Sequence, residues 1–185
     1  MDEADSPAGL PVVIVLAAGR GERFRASGGT SHKLDALLGG KRVLDHVLDA
    51  VRASGLQHHL VCADASRPGM GDSIAAGVRA TAGAAGWLIL PGDLPLVRPA
   101  TLQAVARALA AYEVVVPVHC GERGHPVGFA SGCGSSLRQL AGEQGAARIV
   151  KSRAAFLLEV DDAGTVTDID TTGDLARAAG AFRLS

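Results

Sequence analysis

Apolar residues come along this chain in short unbroken runs, separated by stretches with helical spacing. Residues 12–16, VVIVL, contain no polar break, and residues 60–63, 87–91 (WLILP) and 113–118 repeat the pattern. Continuous apolar runs of this length mark strands buried on both faces, as in a parallel sheet. Between the runs, Val43, Leu44, Val47, Leu48 and Val51 share one face of a helix over residues 41–54, which Gly55 stops. Asp72 or Ser73 can cap a helix to about residue 80. Pro99 suits the first turn of a helix reaching residue 111, with Leu102, Val105 and Leu109 inward.

Residues 126–130 read as a short strand whose leading proline a sheet edge tolerates. Short helices are expected over 135–141 and 145–152, around the glycine-rich residues 142–145. Strands over 154–160 and 165–168 flank a turn at 161–164, and Thr171 or Thr172 caps a last helix to about residue 179. Strand–helix alternation predicts an α/β fold: a three-layer αβα sandwich on a mostly parallel, Rossmann-like sheet with a short edge hairpin. Ligands in such a fold lie outside the carboxyl ends of the strands. Residues 1–10 are expected to be a loose leader, and residues 11–185 a single domain.

Composition narrows this picture. The 185 residues are 48% hydrophobic but only 3% aromatic, so the core is built from Val, Leu, Ile and Ala. The 24 glycines concentrate in candidate ligand loops and form no repeat. A net charge of −1 gives no global attraction to nucleic acid or to an anionic membrane, so an anionic ligand must be held by local cations. Cys62, Cys120 and Cys133 are widely spaced and odd in number, which argues against a disulfide framework or a zinc site and for a reducing compartment. No secretory signal and no membrane-length apolar run is present, and a cytoplasmic location is expected.

The first apolar run empties into Ala17-Ala18-Gly19-Arg20-Gly21, followed by Arg23, Arg25 and Lys33. Small residues let backbone N–H groups approach a ligand, and cations beside them suit a polyphosphate. The Walker pattern G-x-x-x-x-G-K-[ST] is absent. A dinucleotide fingerprint fails as well, because Phe24 stands where its third glycine belongs.

Other polar groups fall just after strands. Asp93 follows residues 87–92 and is either a ligand for Mg²⁺, which takes one or two carboxylates with phosphate and water, or a turn aspartate. Asp168 and Asp170 lie on one side of an extended chain. One of them can join Asp93 at a metal while the other caps the last helix. Gly69, Gly71 and Ser73 open a helix whose N–H groups and hydroxyl suit a base edge or a phosphate, or simply begin the helix. Arg123 and His125 sit on a loop before a strand, and Arg148 lies near a helix end.

Six stretches, LAAGRGERF with Lys33, GMGDSIAAGV, LPGDLPLV, GERGHPVGF, GEQGAARIV and DIDTTGDL, resemble in order the molybdenum cofactor cytidylyltransferase family within the MobA-like nucleotidyltransferases. The resemblance implies transfer of a nucleoside monophosphate from an NTP to a phosphorylated acceptor, with release of pyrophosphate. CTP is the implied donor, since LAAG with Ala18 replaces LAGG, and molybdenum cofactor is the implied acceptor. Leu16, Ala17, Ala18, Gly19 and Gly21 would form the triphosphate loop, with Arg23 and Lys33 on the phosphates. Gly69, Gly71 and Ser73 would lie by the nucleotide, and Arg123, His125 and Arg148 by the acceptor. Asp93 and Asp170 would hold Mg²⁺. A molybdoenzyme or its maturation chaperone is the implied recipient. The alternatives are a chaperone that binds nucleotide or molybdenum cofactor without turnover, and a transferase acting on a sugar or polyol phosphate. Residues 24–32 form a longer insert between Arg23 and Lys33 than the family carries, and they are expected to act as a flap or to reshape the triphosphate pocket.

Overall fold

The computed structural model describes residues 9–66 and 69–182. Residues 1–8 of the expected leader lie outside that range.

The first strand, β1 (Val12–Ala17), sends Val13 and Val15 to one face of the sheet and Ile14 to the other. It empties into the loop that precedes α1 (Glu22–Ala26). Two short strands, β2 (Leu37–Leu38) and β3 (Lys41–Arg42), pair as a separate hairpin and lead into α2 (Val43–Ala53). Then follow β4 (His58–Cys62), α3 (Met70–Ala80), β5 (Gly86–Pro91), α4 (Pro99–Ala108) and β6 (Val114–His119). The chain returns through β7 (Glu122–Arg123) and β8 (Val127–Ala130) to α5 (Gly134–Arg138), α6 (Ala147–Ser152), β9 (Phe156–Glu159) and α7 (Thr172–Phe182).

The main sheet runs β4-β1-β5-β8-β6, with β7 and β9 also pairing with β6. β4, β1 and β5 are mutually parallel, as are β6 and β9, and β8 runs antiparallel between β5 and β6. Alternation along the strands builds two cores. Val13, Val15, Leu88, Leu90 and Val115 pack with Val47 and Val51 of α2 and Leu102 and Val105 of α4. Ile14, Ile89, Val116 and Phe129 pack on the other face with Ile74 of α3, Leu137 of α5 and Ile149 of α6. This is the three-layer, mostly parallel α/β fold that the apolar runs predict.

Four local expectations are corrected. The helix expected from residue 41 begins at Val43, because Lys41 and Arg42 pair with Leu38 and Leu37. The segment expected as an edge strand is interior. Pro126 precedes the first paired residue, Val127, so its missing N–H costs no ladder bond. The strand expected over 165–168 is replaced by a 3-10 turn, Ala163–Thr165. Asp162, 2% exposed, accepts from the backbone N–H of Arg98 and of Gly164 and from the Thr101 hydroxyl (2.9, 2.9 and 2.6 Å). This buried carboxylate folds the chain back on itself, and a β-propensity for Val and Thr does not outweigh it. Finally, neither Asp168 nor Asp170 caps α7. Asp174 accepts from the Thr171 N–H while the Thr171 hydroxyl accepts from the Asp174 N–H, a reciprocal capping box.

The insert after Arg23 is docked. Phe24 is buried among Leu34, Leu38 and Ile169, and the Ser27 hydroxyl and carbonyl accept from the Thr172 N–H and hydroxyl at 3.0 and 2.9 Å. Among the described residues no helix is long and apolar enough to cross a membrane.

Candidate active site

A cleft of about 1100 Å³ opens at the carboxyl ends of β1, β5 and β6. Its shape follows from the loop after β1. Gly21 takes φ +64°, a left-handed conformation that turns the chain into α1. His32 then ties this loop to the segment carrying Lys33. Its Nδ1 accepts from the Leu34 N–H at 3.3 Å, so Nε2 carries the proton and donates to the Gly19 carbonyl at 2.7 Å.

So braced, Lys33 reaches the cleft floor. Its Nζ donates to Asp93 Oδ2 at 2.6 Å and to Asp170 Oδ1 at 2.8 Å, with its side chain 12% exposed. Asp93 stands just past β5, and its carbonyl accepts from the Ile169 N–H at 2.9 Å. Ile169 is fully buried. Its neighbours Asp168 and Asp170 turn the other way, into the cleft, as alternation along an extended segment requires. Arg23, on the exposed side of α1, donates to Asp170 Oδ2.

Charge couples these groups. Burial works against the Lys33 ammonium, but Asp93 and Asp170 outweigh it and hold its pKa above the ordinary value. Burial, with Asp170 and Asp93 close by, pushes the Asp168 carboxyl above the usual carboxylate range. Burial lowers the His125 pKa despite the nearby Asp93 charge, so this imidazole is neutral at neutral pH.

The donor set fits a hard divalent cation. Asp93, Asp168 and Asp170 each offer one oxygen, all within 4.8 Å of one another. Asp93 Oδ1 is buried with no hydrogen-bond partner among the described residues, an acceptor left over for a cation.

Most of the sequence-predicted residues converge here. Leu16, Ala18, Gly19, Arg23, Lys33, Ser73, Asp93, Arg123, His125 and Asp170 line the cleft. Ala17 packs instead against the cluster around Phe24 and Leu34. Gly21 shapes the turn without lining the cleft. Gly69 and Gly71 lie behind the wall, and Arg148 lies outside it. Asp168 and Asp170, one expected at a metal with Asp93 and the other as a helix cap, both stand beside Asp93, whereas His32 is a residue that the sequence reading misses. The D-x-D spacing held the signal for Asp168, but no local pattern marks His32.

A family profile described as the MobA-like NTP transferase domain matches residues 13–156. The chain belongs to the MobA-like NTP transferase family. The cleft-lining residues fall within that match except those of the Thr165–Asp170 segment. This MobA-like chain is 38% identical over 116 residues to the purine catabolism protein PucB of Bacillus subtilis, covering 60% of this chain and 56% of PucB. It thus spans little more than half the length of that relative. Rv0371c from Mycobacterium tuberculosis superposes with a TM-score of 0.72 at 25% identity, covering 92% of this chain and 98% of that one. A second structure of Rv0371c is described as a complex with manganese. The molybdopterin-guanine dinucleotide biosynthesis protein A of Archaeoglobus fulgidus shares the fold, with a TM-score of 0.74 at 20% identity over 94% of this chain and all of that one. The MobA-like chain thus carries this family's NTP transferase domain over residues 13–156, and the segment between Arg23 and Lys33 is docked on the last helix through Ser27.

Proposed function

We propose that the chain transfers CMP from CTP to the phosphate of molybdenum cofactor, releasing pyrophosphate, with Mg²⁺ as the required ion. The observation that carries this reading is the Lys33 ammonium shared between Asp93 and Asp170 directly beneath the glycine loop. A cation on two carboxylates, beside a third, is a pre-built place for phosphate charge and its counter-ion.

An acceptor phosphate oxygen attacks the α-phosphorus of CTP, and the bond to the bridging oxygen of the β-phosphate breaks. Pyrophosphate leaves with the electron pair. Lys33 and Arg23 face the charge that grows on the leaving group. Both reach phosphates by turning away from carboxylates they now touch, and Arg23, with its side chain 80% exposed, is free to swing. A phosphate nucleophile is already ionised, so no side chain need act as its general base. Asp93, Asp168 and Asp170 would hold the Mg²⁺, which when bound neutralises phosphate oxygens. Neutral His125 offers a hydrogen bond without adding charge.

Support for a ring-bearing acceptor over a sugar phosphate comes from the floor. Ile89, Val116, Val127 and Phe129 line it, and none supplies the hydrogen bonds that a polyol demands. The Archaeoglobus fulgidus protein of molybdopterin-guanine dinucleotide biosynthesis supports a molybdopterin acceptor, and the manganese complex of Rv0371c supports a divalent ion.

The test is pyrophosphate release from CTP, GTP, ATP and UTP with Mg²⁺, with and without molybdenum cofactor. We expect release with CTP that depends on the cofactor. Release with a sugar 1-phosphate or polyol phosphate instead would replace the acceptor. Cofactor binding with no release from any nucleotide would make the chain a carrier.

A further inference from the structure

The stretch GMGDS reads in sequence as a helix start facing a ligand, yet the structure turns its polar groups elsewhere. Gly71 N–H donates to the Gly142 carbonyl at 2.8 Å. Asp72, in the first turn of α3, accepts from the Gly142 N–H at 3.0 Å. Both backbone groups of Gly142 are thus held by α3. Among the described residues these are the hydrogen bonds that residues 141–145 make.

Packing seals the same seam. A Cβ on Gly69 would stand 2.1 Å from the Gly142 oxygen, and one on Gly71 would stand 2.4 Å from the Gln144 oxygen. Only glycine lets the two backbones come this close. Met70, 53% exposed between them, lies against Gly145 and lines the cleft. The segment so held carries Glu143, Gly145, Ala146 and Ala147 into the cleft wall and leads into α6, whose Val150 and Lys151 extend that wall.

Opposite this wall stands the apolar floor of β5, β6 and β8. Register places Arg123 on the same face: it pairs with Val118, which alternation puts on the side of Val116 and α6. Arg123 and Lys151 are the cleft-lining cations without an ion-pair partner among the described residues.

We infer that Asp72 is a positioning residue for the acceptor: with Gly69 and Gly71 it clasps residues 141–147, fixing the wall against which a flat, apolar-bodied phosphate ester lies. This rests on the transferase reading above. Asp72 acts through the wall and touches no substrate, so its loss loosens acceptor binding while CTP binding and the chemical step persist.

The experiment compares wild type, Asp72→Ala and Asp72→Asn, with CTP as donor and molybdenum cofactor as the acceptor probe. In Asp72→Ala we expect the KM for the cofactor to rise about 10-fold, equivalent to one hydrogen bond to a charged acceptor. The KM for CTP and kcat should stay within two-fold. Asp72→Asn should restore the KM, because its amide oxygen still accepts the Gly142 N–H. Amide hydrogen exchange at Gly142 should quicken at least 10-fold in Asp72→Ala and not in Asp72→Asn. Unchanged cofactor KM and unchanged exchange in Asp72→Ala would overturn the inference alone. A rise in the KM for CTP instead would overturn it in favour of direct nucleotide contact. No transfer by the wild-type protein would overturn the reading on which it rests, and the inference with it.

Discussion

Asp93→Asn is expected to lower kcat/KM by at least 10³-fold while leaving the protein folded. The argument is electrostatic. Asp93 contributes one of three oxygens clustered within 4.8 Å, and its Oδ1 is buried with no partner among the described residues. An asparagine keeps the shape but removes the charge, and a neutral amide oxygen is a poor replacement for a carboxylate on a hard divalent ion. Losing a preorganised electrostatic element commonly costs about 10²–10³ in rate, and this one serves both the ion and Lys33. The backbone is spared, because the bond from Ile169 N–H goes to the Asp93 carbonyl. Steady-state kinetics with circular dichroism decides the matter. A variant within 10-fold of wild type would show that the carboxylate cluster is not the reaction centre.

Lys33→Met should lower kcat/KM by roughly 10²-fold, the scale of one lost charged contact to the transition state. The same variant should bind free Mn²⁺ more tightly than the wild-type protein in a calorimetric titration. The ammonium sits on Asp93 Oδ2 and Asp170 Oδ1 and offsets the charge of two carboxylates that an incoming ion would use, so removing it removes a competitor. These two effects have opposite signs, and general misfolding cannot produce both. Equal Mn²⁺ affinity in the two proteins would place the ion elsewhere.

How far the sequence reveals this architecture depends on the range of the forces involved. Apolar runs such as VVIVL and WLILP identify β1 and β5 because burial on both faces leaves no polar position to confuse the pattern. The helix α1 escapes detection because ERFRA carries one inward residue, Phe24. The hairpin of β2 and β3 has two residues per strand, too few for any period to register. The turn at 163–165 is set by Asp162, whose partners Arg98 and Thr101 lie more than sixty positions earlier. The site divides in the same way. Lys33, Asp93 and Asp170 stand out individually through loop chemistry, but their meeting spans separations of 60 and 137 positions. The glycines at 69 and 71 carry a misleading local signal, since a glycine that opens a helix and a glycine pressed against a distant backbone look the same in sequence.

Three acids gathered at the bottom of a cleft would ordinarily strain a fold until something positive arrives. Here Lys33 and Arg23 are already in place as internal counter-ions. The acids are thereby balanced within the chain itself, so the fold does not depend on an ion to hold them together. Treatment with a chelator should therefore shift the melting temperature by no more than ~2 °C relative to protein without excess metal. Activity should return in full when Mg²⁺ is restored. A larger fall in melting temperature on chelation would mean that the ion is a structural part of the fold as well as a participant in turnover.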